Sequence, residues 1–136
     1  MDSQQLVGRT LASVVASWHF HGTDVTSGPV DIWLIDGQRT STHITVTSDW
    51  CLLVEEKAPF DGFDMGEHGR FEVAAIGDGT PLAPHVGVAI LAVREEFHPL
   101  TGRVALELAF DGRWVRCDGL DGDLRLTAIE AGPSAR

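Results

Sequence analysis

Positive charge is scarce in this chain. Ten Lys and Arg stand against 20 Asp and Glu, a formal net charge of −10 in 136 residues. Six of the acids against a single Lys fall between Asp49 and Glu67, so that stretch alone carries half the excess. Nucleic-acid backbones and anionic membrane surfaces are bound by Lys and Arg that displace counterions, and a field of this sign repels both. A basic protein, a cation or a neutral ligand is the easier partner. Long apolar runs are missing too: the longest, Val86 to Val93, is far too short to cross a bilayer. The opening MDSQQLVGRT has no cationic segment followed by an apolar core, so no secretory signal is expected and the protein is read as cytoplasmic. Cysteine is limited to Cys51 and Cys117, with no C-x-x-C and no adjacent His. Reduced, packed thiols are expected there rather than a nucleophile, a zinc knuckle or a disulfide framework. Neither a Gly-x-Ser-x-Gly elbow nor a phosphate-cradling Gly motif is present.

What the chain does have is two-fold alternation. With 43% hydrophobic residues it can build one core, and its length fits a single domain spanning 1–136. The stretch from Val30 to Glu56 predicts three consecutive strands, at about 30–36, 40–48 and 50–56, with a turn at Asp36-Gly37. Upstream, Ala12, Val14, Ala16, Trp18 and Phe20 share one parity and predict a strand over 10–20. A helical stripe of Leu11, Val14, Val15 and Trp18 is the competing reading. Residues 57–70 break all periodicity and read as a surface loop. Further strands are expected at 71–76, 88–97, 103–110, 114–117 and 124–129. Six Asp-Gly pairs, beginning at 36, 61, 78, 111, 118 and 121, punctuate the chain and suit tight hairpin turns.

The two ends resemble each other. Val7-Gly8 to Val14 can be laid on Val86-Gly87 to Val93 at an offset of 79, and Asp36-Gly37 on Asp111-Gly112 at an offset of 75. The longer HGTDVTSG turn absorbs the difference. These matches suggest a repeat of 7–56 in 86–129, set against chance similarity between alternating strands. The expected fold is mainly β, a single antiparallel β-sandwich or barrel, with two pseudo-symmetric β units if the repeat is real. The Gly8-Arg-Thr-Leu11 opening and the Asp36-Gly37 and Asp111-Gly112 hairpins resemble small uncharacterised actinobacterial proteins, a resemblance that implies no activity.

Three groups of residues could carry function. His19 and His21, two apart on a predicted strand, face the same way, and His43 lies on the polar parity of its own strand. If those strands were neighbours the three imidazoles could hold a divalent transition metal, with Asp24, Asp49 or His85 completing the shell. The His-x-His pair resembles cupin metal sites, although no Glu stands at the cupin spacing. The plainer expectation is no cofactor, with Ser13, Ser17, His19, His21, Thr45 and Thr47 lining a solvated sheet face. Asp61, Asp64 and Glu67 lack the alternate spacing of a calcium loop. Glu55-Glu56 and Glu95-Glu96 point to opposite faces and cannot act as pairs. The loop remains: Phe60, Asp61, Phe63, Asp64, Met65 and Glu67 combine rings with carboxylates, a hot-spot composition for a basic protein partner. Set against this, Phe60 and Phe63 can fold back as plugs over one end of the barrel, the reading favoured for at least one of the two rings. The leading expectation is therefore a small acidic binding protein, toxin-neutralising or regulatory and without enzymatic activity. A β-barrel metal protein or enzyme using the histidines, and a structural module of a homo-oligomer, are the alternatives.

Overall fold

The computed structural model describes residues 2–21, 24–25, 29–47, 49–64, 66–75, 80–120 and 123–130, the side chains at 24, 25, 63, 64, 68 and 130 excepted. Alternation does produce strands: β1 (Leu11–His21), β2 (Asp24–Val25), β3 (Asp31–Asp36), β4 (Ser41–Val46), β5 (Leu52–Glu56), β6 (Phe63–Asp64), β7 (Arg70–Ala75), β8 (Ala92–His98), β9 (Gly102–Phe110), β10 (Arg113–Leu120) and β11 (Asp123–Glu130). Short 3-10 turns lie at Ser3–Leu6, Gly66–His68 and Ala83–His85, and no α-helix occurs among the described residues. The helical reading of residues 11–18 is thus set aside.

The strands form two antiparallel sheets. One runs β5-β4-β3-β1-β7-β6 with β2 hairpinned onto the end of β1, and the other runs β11-β10-β9-β8. Neither order closes on itself, so the fold is a sandwich and not a barrel. The even positions of β3 and β4 (Ile32, Leu34, Ile44) meet Leu106, Leu108, Val115 and Cys117 of the facing sheet in one buried interior. Each such side chain contributes about 1.5–3 kcal/mol when removed from water. On β1 the predicted parity slips at one end. A register shift between Leu11 and Ser13 turns Leu11 into the core and leaves Ala12 exposed, while Val14 and Ala16 stay inside. The Asp118-Gly119 pair is no turn: it continues β10, with Asp118 opposite Ala105 of β9 on one side and Asp118 and Gly119 opposite Arg125 and Leu124 of β11 on the other. Residues 88–91, expected as strand, instead cross between the sheets.

That crossing is made twice, in opposite directions. Gly8 N–H donates to the Ile90 carbonyl and Gly87 N–H to the Leu11 carbonyl, while Leu11 N–H donates to Val88 and Ile90 N–H to Arg9. Thr10 and Ala89 form the bridge at the centre. Each partner set maps onto the other by the same offset of 79 residues, and β1-β3-β4-β5 and β8-β9-β10-β11 have the same strand order. Strand register matches Leu34, opposite Val14, with Leu108, opposite Val93. That is an offset of 74, one residue away from the alignment of the Asp-Gly turns. Gly8 and Gly87 both sit at φ +91° with nothing within 4 Å of an added Cβ, so only the backbone conformation demands glycine. Gly8→Ala and Gly87→Ala are each expected to lower stability by about 1–2 kcal/mol, read as a shift in the urea midpoint with unchanged slope.

Candidate functional site

The outer face of the larger sheet is covered at its centre: of the polar residues expected to line a solvated face, Ser17 is buried, while Ser13, His19, Thr45 and Thr47 are half-buried and His21 is exposed. β1, β3 and β4 lie side by side with Ser17 opposite Asp31 and Trp33 opposite His43, and all four side chains are buried. Asp31 sits at the centre. Its Oδ2 accepts a hydrogen bond from Ser17 Oγ at 2.7 Å, and its Oδ1 lies 2.7 Å from His43 Nε2. Ser17 Oγ also accepts from the Asp31 backbone N–H at 3.0 Å. Burial alone would raise the Asp31 carboxyl, but the His43 and Ser17 hydrogen bonds and the nearby imidazole bring it below its ordinary value of 3.8. The far nitrogen of His43, Nδ1, is 3.8 Å from Glu55 Oε1 and has no hydrogen bond. The trio has the residue types of a hydrolase triad in the wrong order. The carboxylate separates hydroxyl from imidazole, so the base cannot take the serine proton. It acts as a clamp across three strands.

The cover over this clamp is the loop that composition marked as a contact surface. Lys57 starts beside Ser41, its N–H bonded to the Ser41 carbonyl, and Arg70 ends beside Phe20. The segment therefore runs as a strap from one end of the sandwich to the other. On the way, the Phe60 ring meets Trp33 edge-on at 5.1 Å, and Trp33 stacks on His43 at 5.0 Å. At its far end Gly69, at φ +95°, passes so close that a Cβ would stand 2.2 Å from the Phe20 carbonyl oxygen and 2.9 Å from His19 Nε2. Phe60 is thus a plug, over a sheet face and not a barrel end. Asp61 and Glu67 are exposed. The side chains of Phe63 and Asp64, and Met65 altogether, lie outside the described residues.

The three histidines are not brought together. His19 pairs with Phe71 on β7 and His43 with Trp33 and Glu55, leaving the two about 13 Å apart along the strands and about 10 Å across them. His21 is two residues further outward along β1, across from Asp24. Asp49 lies in the turn before β5 and His85 in the other half of the fold. Among the described residues no group of three or more His, Cys, Asp or Glu side chains could hold a metal ion. The two cysteines also differ. Cys117 is in the core with its thiol pushed up to about 12 by burial and the neighbouring Asp118 charge, whereas half-buried Cys51 donates to the Thr101 carbonyl at 2.7 Å. They occupy no equivalent positions.

The outer face of the smaller sheet is a lattice of paired charges. Arg94 binds Glu107, Arg116 binds Glu107, Glu96 and Asp118, and Arg125 forks onto Asp118. Arg94 also lies 3.9 Å over the Trp114 ring. Burial would raise Asp118, but the two guanidiniums hold it below its usual range. Three cations answer three anions. Glu95, on the other parity, is bound to Arg103.

Large apolar side chains are instead presented at one end of the sandwich, where the end of β4, the start of β5, the turn between β8 and β9 and the end of β10 lie together. Trp50 is 63% exposed, Phe97 61%, Leu100 89% and Leu120 50%. The Cys51–Thr101 hydrogen bond ties the start of β5 to the turn between β8 and β9, and a Cβ added at Gly119 would stand 3.4 Å from both Val46 methyls, which sets the end of β10 against the end of β4. Trp50 is held at φ +67°, a conformation that costs a bulky residue about 1–2 kcal/mol. Sequence reasoning missed this patch because its members are far apart in the chain and only the strand order gathers them. The chain matches no protein-family model, no curated protein and no known structure.

Asp31→Asn is expected to cost about 1–3 kcal/mol, because the replacement cannot accept both charge-assisted bonds. The carboxyl titrates lower in the folded chain than in the unfolded one, so the stability it adds is complete above about pH 5 and drains away as pH falls through 3.8 and below. Urea midpoints between pH 3 and 7 should therefore fall less steeply with acid in Asp31→Asn than in the native protein.

Proposed function

We propose that this is a cytoplasmic binding protein without enzymatic activity, which docks a basic protein partner on the apolar end formed by Trp50, Phe97, Leu100 and Leu120. The observation that carries the reading is Trp50: a strained backbone holds its indole in solvent, beside other exposed apolar groups. Strain of this kind, kept where it does nothing for packing, points to a contact made elsewhere. Aromatic anchors in an apolar patch are the side chains that carry most binding energy in protein interfaces.

The rim and the net charge select the partner. Asp49 and Asp123 flank the patch, both exposed and neither in an ion pair with a described residue. A second copy would bring the same acidic rim and the same −10 charge into contact with this one. A basic surface is attracted instead, and the exposed Asp61 and Glu67 of the strap add to the field that steers it. The chemistry-bearing side chains support a non-enzymatic role, since Ser17, Asp31 and His43 are spent on the clamp and Cys117 is held as a buried thiol.

Trp50→Gly separates contact from packing. Glycine relieves the positive φ, so the variant is expected to be at least as stable as the native chain, while affinity for a partner captured by the native protein and then purified falls by about tenfold or more. The same complex should weaken with rising salt. A partner bound equally well by native protein, Trp50→Gly and Leu100→Ser would overturn the reading, as would a chain that self-associates through this end in light scattering.

A further inference from the structure

At the opposite end of the molecule lies a cleft of about 760 Å³, between the 81–88 segment and the turn at Asp111-Gly112 with the adjoining start of β10 and end of β11. Its counterpart beside Gly8 and Asp36 is about 310 Å³. The difference has a visible cause. In the first half Arg9 reaches Asp36 at 3.6 Å and Thr42 Oγ1 at 3.4 Å, closing the space. The residue 79 positions on is Val88, too short to cross, and the cleft beside it stays open.

The open cleft has a defined chemistry. His85 forms part of its lining and stacks on Phe110 at 4.3 Å with 6° between the rings. The imidazole is more than nine-tenths buried, yet neither ring nitrogen is hydrogen-bonded to a described residue. Burial, then the charge of Arg113, lowers its proton affinity, so at neutral pH it offers one donor and one acceptor without a charge. Pro81, Pro84 and Trp114 supply flat apolar walls, and Asp111 and Arg113 place one anion and one cation at the lining. The volume falls within the range of small-molecule sites, which combine apolar walls with a few polar groups.

We infer that this cleft binds a small aromatic zwitterion of the amino-acid type, its ring between Trp114 and the prolines, its carboxylate toward Arg113 and its ammonium toward Asp111. The inference does not depend on the partner-binding reading, because the two surfaces are at opposite ends of the sandwich. Asp111 and Arg113 are both exposed and carry opposite charges two residues apart, which favours a ligand bearing both signs over one bearing either alone. His85 answers the polar edge of the ring system.

Titration of the full-length protein with L-tryptophan, tryptamine and indole-3-propionate, followed by two-dimensional amide and indole NMR, tests this directly. Tryptophan is expected to bind more tightly than either single-charge analogue, with shifts at the Trp114 indole and residues 84–88 and none at the Trp50 indole. Arg113→Ala should weaken tryptophan about tenfold and leave tryptamine unchanged, while Asp111→Asn should weaken tryptophan and tryptamine and leave indole-3-propionate unchanged. Val88→Arg, which rebuilds the closed counterpart, should abolish binding of all three. No shift at Trp114 up to about 10 mM of any probe, a level weaker than ordinary small-molecule recognition, would overturn the inference. So would equal affinity for the three probes, or shifts confined to the Trp50 end.

Discussion

Four backbone hydrogen bonds between residues 8–11 and 87–90 decide how the two sheets face each other. They exchange donors and acceptors between two segments of the same shape, each leaving a 3-10 turn through a glycine at φ +91°. Backbone groups buried without partners are costly, so a chain that passes between sheets must satisfy them on the way. Here each crossing satisfies the other. Once that junction is set, β1 and β8 leave it in related directions, the meanders that follow stack their inner faces, and the apolar end and the cleft fall at opposite ends of the sandwich.

Much of this architecture was readable from period and punctuation. Alternation located most of the strands, and the two Val-Gly segments aligned at an offset of 79 are the ones that meet at the junction, a contact the alignment did not announce. What period could not give was the neighbour of each strand. The burial of Asp31 depends on β1 and β4 flanking β3, which brings Ser17 and His43 to it. A carboxylate inside the run Val-Asp-Ile-Trp-Leu-Ile was the available signal, since an acid amid so many apolar residues must either reach water or find donors. The Asp118-Gly119 pair failed as a turn for a similar reason. Arg116 and Arg125 hold the aspartate within the sheet, and tertiary charge overrides the local preference of the dipeptide.

The candidate sites divide along the same line. The segment from Lys57 to Arg70 is the surface loop its composition announces, with Asp61 and Glu67 exposed, but Gly62 and Gly69 serve close approach to the sheet and Phe60 is spent on Trp33. Trp50, by contrast, lay within an apparently ordinary strand start. Its left-handed backbone, and the bond from the next residue, Cys51, to the Thr101 carbonyl, are three-dimensional facts with no local sequence signature. The cleft at His85 was invisible for a different reason: it arises from what Val88 lacks relative to Arg9, a comparison that matters only once both segments are seen in matching places.

The lattice of Arg94, Arg116 and Arg125 with Glu96, Glu107 and Asp118 has a consequence for the molecule as a whole. Since those six charges cancel locally, that broad side is electrically quiet at a distance. The uncompensated negative charge includes the stretch from Asp49 to Glu67, where six acids face one lysine, three of those acids (Asp61, Asp64 and Glu67) lying on the segment strapped over the other broad side. The protein is then lopsided in its far field, and a positively charged body diffusing toward it is turned to one side well before any surfaces touch.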